Sequence, residues 1–175
     1  MTDFRKFFQK SKNLTALGSS YIISNAISAF FWLFLASILD VEQYGELGYL
    51  LAIVGTVGAF GLIGSNNTLT IYVAKGVKIQ ATLFFITLIA GTILSIGLLL
   101  FSQNIFISFY PLALIIFSTV IFDILGKKEF TNYGKCLVIQ RILMVILALV
   151  FFQIWGINGI IFGYTLSLSV FVFLT

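Results

Sequence analysis

The chain has 175 residues, of which 60% are apolar and 9% charged, with a net charge of +4. That balance cannot cover a soluble globular domain with polar surface, so lipid is the solvent for most of it. Twenty Phe and one Pro argue against disordered or repetitive sequence. The single cysteine, Cys136, and the absence of histidine remove internal disulfides and Cys/His zinc sites, and no cofactor is expected. The ten basic residues are scattered among apolar runs and form no tract or fold signature for nucleic acid.

Apolar runs long enough to cross about 30 Å of hydrocarbon, roughly 20 residues each, predict six membrane spans. They lie near 18–39, 47–73, 81–101, 105–125, 136–154 and 157–175. The first is too long for a cleavable signal and leads directly into further spans. Connections between spans are too short for a separate soluble domain, so the sequence reads as one all-α membrane unit, a six-helix bundle.

Lys and Arg concentrate on the cytoplasmic side of membrane proteins, and here their distribution is one-sided. Arg5, Lys6, Lys10 and Lys12 precede the first span, Lys75 and Lys78 separate the second from the third, and Lys127, Lys128, Lys135 and Arg141 flank the fourth connection. The alternate connections, 40–46, 102–104 and 155–156, contain none. This predicts a multi-pass protein of the cell membrane with both termini in the cytoplasm.

Small residues recur at helical spacing, as expected where close backbone approach supplies much of the helix association. Ser20, Ser24 and Ser28 mark the first span, Thr87, Gly91 and Ser95 the third, and Gly159 and Gly163 the sixth. Gly55, Gly58, Gly61 and Gly64 recur every third residue along the second, for tight packing or for bending. Pro111 sits either in the first turn of a span starting near Tyr110 or at a kink in one starting at Ile105.

Polar side chains inside the bilayer are costly and are the candidate functional residues. Asn25 either bonds a neighbouring helix or lines a hydrophilic cavity. Asn66, Asn67 and Thr68 interrupt the second span, either as a break facing a cavity or as an interfacial turn after Gly64. Asp123 reads as an interfacial pair with Lys127 one turn on, with ion coupling as its functional alternative. Arg141 lies five residues past Cys136, on the order of 8 Å into its span. Its guanidinium either snorkels or grips a phosphate or carboxylate, with Gln140 beside it. No set of residues forms an acid–base or nucleophilic site: Asp40, Glu42 and Glu46 share a connection on the face opposite Asp123. An enzyme is not expected.

The stretches LASILDVEQYGELGYLLAIVG and GLIGSNNTLTIYVAKG, following one apolar span, resemble the opening of polysaccharide-export flippases of the multidrug/oligosaccharidyl-lipid/polysaccharide superfamily, the O-antigen flippase group among them. Leu39, Glu42, Tyr44 and Gly45 match that family's first external loop, whose Gly-Pro is replaced here by Asp40 and Val41. QRILMVILALVFFQIWGINGIIFGYTLS resembles its fifth and sixth helices, with Gly156, Gly159 and Gly163 matching a glycine run. The resemblance implies one lobe of a two-lobe flippase, with 1–175 as an N-terminal lobe cut short of its partner. It also implies a lipid-linked oligosaccharide as substrate, membrane lipid as surroundings, and a missing C-terminal lobe or second membrane subunit as partner. On that resemblance Arg141 receives the carrier's pyrophosphate, with Gln140, Asn25, Asn66 and Asn67 as further substrate contacts. Two alternatives stay open: a cation-coupled drug or metabolite exporter of the same superfamily, and a non-transporting membrane assembly subunit.

Overall fold

The computed structural model describes residues 2–171, with side-chain environments at Thr15 and from Leu17 onward. The side chains of Arg5, Lys6, Lys10 and Lys12, and residues 172–175 of the last expected span, lie outside that description. Eight helices follow one another: α1 (Thr2–Ile38), α2 (Val41–Leu62), α3 (Ser65–Ala74), α4 (Gln80–Ser102), α5 (Ile105–Ser108), α6 (Tyr110–Gly126), α7 (Phe130–Trp155) and α8 (Ile157–Ser169). Among the described residues there is no strand. Five stretches, Leu17–Ile38, Val41–Leu62, Gln80–Ser102, Ile105–Gly126 and Phe130–Trp155, are long and apolar enough to cross a membrane, and α8 is a shorter apolar helix. The fold is consistent with an all-α, multi-pass membrane protein.

Several helix ends differ from expectation for identifiable reasons. The acidic connection expected at 40–46 is almost entirely helical. Asp40 is the N-cap of α2, its carboxylate accepting from the Gln43 amide at 2.8 Å while the Gln43 side-chain oxygen accepts from the Asp40 amide at 3.4 Å. This reciprocal capping box starts the helix at Val41, and Glu42 then lies in the first turn, where the helix dipole favours a negative charge. The span expected as 47–73 breaks at Ile63 and Gly64, both with left-handed backbone (φ 47° and 69°), and restarts at Ser65 as α3. Asn66 and Asn67 thus occupy the first turn of a new helix.

Pro111 stands in the first turn of α6, where its missing N–H needs no partner, and Phe109 separates α6 from the single turn of α5. Both expected starts, Ile105 and Tyr110, therefore coincide with helix starts. Helix α7 begins at Phe130, six residues before the expected 136, so Lys135 is helical and Arg141 stands in its third to fourth turn.

The bundle is organised around α6 and α8. Helix α8 packs between α6 and α7, α1 lies along α7, and α2, α3 and α4 gather on α6. One core joins Leu35 of α1, Val54 of α2, Met144 and Ala148 of α7, and Ile160 of α8. A second joins Ala113, Phe117 and Ile121 of α6 to Tyr133 of α7 and Leu168 of α8. The buried positions of α4 include the expected stripe, Thr87, Gly91 and Ser95. At the far end of the bundle from the lysines, the Asn104 amide donates to the Asn158 side-chain oxygen at 2.8 Å and ties α5 to α8.

The tightest packing is between α7 and α8, joined by a turn at Gly156 (φ 58°, ψ −134°). A Cβ on Gly159 would fall inside the Phe151 carbonyl, and one on Gly163 would lie 2.5 Å from the Ala148 nitrogen. These neighbours are backbone atoms that no rotamer change can move. On α2 the constraint is softer: Gly58 and Gly61 face side chains of Leu114 and Ile115, and Gly55 has nothing within 4 Å. Gly159→Ala is therefore expected to destabilise by about 1–3 kcal/mol, the usual range for overpacking, while Gly55→Ala is expected to be neutral or slightly stabilising. Thermal unfolding of the two variants in one detergent checks this; equal melting temperatures would contradict it.

Candidate functional site

Arg141 sits eleven residues into α7 and six past Lys135, roughly 9 Å beyond that lysine at 1.5 Å per residue. It is half-buried. Its Nη1 donates to the Met144 sulfur at 3.6 Å, a weak acceptor one turn on. Among the described residues the only ion pair is Lys127 with Asp123 at 2.5 Å, so the guanidinium has no carboxylate.

Two phenols lie within its electrostatic range. Its charge acts on Tyr110 of α6 and Tyr164 of α8, and Tyr164 in turn lies within electrostatic reach of Tyr44 of α2. Four helices each contribute one polar-tipped side chain. From α1, Phe31 packs on Tyr164 with ring centroids 6.1 Å apart, and Trp32 meets Tyr44 edge-on at 5.7 Å. Among the described residues no hydrogen bond is made by the hydroxyls of Tyr44, Tyr110 or Tyr164, and none of the three is a sealed, unpartnered atom. A guanidinium with spare N–H donors and no carboxylate, within electrostatic range of two phenols, suits an anion.

The other sequence candidates fall elsewhere. Gln140 is adjacent in sequence but about 100° around the helix, and it is buried. Its amide donates to Ser167 Oγ at 3.2 Å, and that hydroxyl donates to the Tyr164 carbonyl at 2.7 Å. Gln140 therefore braces α7 against α8 behind the arginine. Asn25 is exposed on α1, whereas Ser24 next to it is buried, so the two occupy different faces of the helix. Asn66 is half-buried with its carbonyl accepting from Thr70 Oγ at 2.9 Å, and Asn67 is exposed. Asp123 is committed to Lys127 and is not joined to Arg141.

Sequence reasoning missed the three tyrosines. Each is remote from Arg141 along the chain, and no spacing rule links them. The one local signal was Tyr164, a polar tip inside the apolar run of α8.

No protein-family model, curated protein or solved structure matches the chain.

A charge within a span that has no carboxylate partner is costly to hold there. Arg141→Met, which keeps the bulk of the stem, is therefore expected to raise the melting temperature in lipid nanodiscs. A lower one would indicate that the guanidinium serves as a structural contact.

Proposed function

We propose that the protein is a membrane transporter that moves a lipid-linked oligosaccharide across the cell membrane, with Arg141 receiving the phosphate groups of the carrier. The observation that carries this reading is a half-buried arginine within a membrane-length helix that donates to the Met144 sulfur and has no carboxylate partner among the described residues. A charge kept at such cost is a functional feature by default. A diphosphate offers the oxygen acceptors that guanidinium and phenol donors need, and a fork of N–H groups binds them in pairs.

Asn25 supports the further reading that this bundle works against a second body. Its amide is exposed about 12 Å beyond Leu17, at a depth where lipid offers no hydrogen bond. A second lobe or subunit against α1 would supply one. The cation-coupled alternative has less support, because the Asp123 carboxylate already holds Lys127.

In cells depending on this gene for surface glycan, Arg141→Ala is expected to abolish surface display while leaving the protein in the membrane, and Arg141→Lys to retain part of it. Unchanged surface glycan in Arg141→Ala, detected with a glycan-specific antibody, would refute the assignment.

In the same proposal the lysine-bearing end of the bundle is cytoplasmic, by the one-sided distribution of basic residues. With Cys136 replaced by Ser, a cysteine introduced by Glu42→Cys is then expected to react with an impermeant maleimide on intact cells. Reaction only after lysis would reverse the orientation.

A further inference from the structure

At the lysine-bearing end, α4 and α7 both rest on α6 and leave between them a cavity of about 680 Å³. Its walls follow helical spacing, with Thr119, Asp123 and Lys127 on the floor from α6, Gln80 and Phe84 on one side and Asn132 and Lys135 on the other. The charged groups gather at one end. Lys127 is paired to Asp123 at 2.5 Å, and the Glu129 carboxylate accepts from the Asn132 amide at 2.8 Å. Lys135 makes no ion pair among the described residues, and one Asp123 oxygen is buried without a partner. Further from the charges the lining is mainly apolar, with Phe84, Val120 and Ile139 and the single hydroxyl of Thr119.

We propose that this cavity holds a zwitterionic phospholipid of the phosphatidylethanolamine class. Two cations, Lys127 and Lys135, face two anions, Asp123 and Glu129, so the lining is neutral with both signs present. A phosphate joined by two carbons to an ammonium matches it: phosphate on Lys135, ammonium toward Glu129. With Asp123 already paired to Lys127, a purely anionic headgroup on Lys135 would leave the Glu129 carboxylate without a cation. Basic clefts between helices at the cytoplasmic face commonly take anionic lipids, and the carboxylates distinguish this cleft from those. The apolar walls beyond Lys135 call for an acyl chain, which a free phosphoamine lacks. This inference needs only the membrane setting and is independent of the transport reading.

The test is native mass spectrometry of the full chain released from nanodiscs of equimolar phosphatidylethanolamine and phosphatidylglycerol. Retention of phosphatidylethanolamine is expected to exceed that of phosphatidylglycerol by roughly fivefold, about what one charge at a membrane surface is worth. Lys135→Gln, at an exposed position, is expected to lower that retention by a similar factor. Ala81→Trp, also at an exposed position, is expected to fill the cavity and abolish retention with helical content unchanged. Equal or greater retention of phosphatidylglycerol, no retained lipid, or unaltered retention in both variants would overturn the proposal. Displacement of the lipid by millimolar phosphoethanolamine would overturn its assignment to a lipid rather than a soluble phosphoamine.

Discussion

The contact between the backbones of α7 and α8 is the constraint on which the rest of the bundle depends. In lipid, apolar side chains gain little by leaving one greasy environment for another, so association comes from close packing and a few hydrogen bonds. Gly159 and Gly163 let α8 approach α7 until their main chains touch, and Gln140 with Ser167 adds a buried bond across the same seam. Once α8 is fixed there, its other side is available to α6, and α6 in turn carries α2, α3 and α4. Helix α1 joins from the opposite side, along α7. The softer glycine contacts on α2 and α4 meet side chains of α6 and leave room for adjustment that the α7–α8 seam does not have.

That seam also determines what surrounds Arg141. The α7–α8 contact and the packing of α6 on α8 set Tyr164 and Tyr110 within electrostatic range of the arginine. Gln140 bonds across the seam while Arg141, one residue on, makes its contact with Met144 of its own helix. The brace and the charge are thus neighbours in sequence with different tasks. A small change in α7–α8 spacing would move the phenols relative to the guanidinium, so site geometry and fold stability share one determinant.

The sequence conveyed the parts of this fold that follow from local spacing. Apolar runs located five membrane-length stretches, and the stripes at Thr87, Gly91, Ser95, Gly159 and Gly163 marked buried faces, since helical geometry alone sets which residues share a side. Helix beginnings were misread where charge stands in a first turn. Asp40, Glu42 and Glu46 looked like a loop because acids are rare in spans, yet an acid is favoured as an N-cap and in the turn after it. Lys135, in the second turn of α7, likewise set the expected start too late. The break at Ile63 and Gly64 falls where Asn66, Asn67 and Thr68 mark an interruption of the second span after Gly64; the glycines alone are equally compatible with packing, bending and stopping. The tyrosines around Arg141 were invisible for a different reason: they meet through the tertiary arrangement of four helices, which no one-dimensional pattern encodes.

Two charged groups enter the bundle, and the contrast between them bears on which one works. Asp123 lies near the end of α6 and takes Lys127 from its own next turn, so most of its charge is cancelled locally, within one helix and near the membrane surface. Such a pair is made by secondary structure alone and requires nothing of the rest of the fold. Arg141 lies deeper, and a carboxylate on its own helix one turn away would have neutralised it as simply; positions 137, 138, 144 and 145 hold Leu, Val, Met and Val instead. The chain therefore contains a ready means of silencing an intramembrane charge, uses it at Asp123 and leaves it unused at Arg141. Under the proposed reading, this open guanidinium would exchange its weak sulfur contact for the oxygens of an incoming anion.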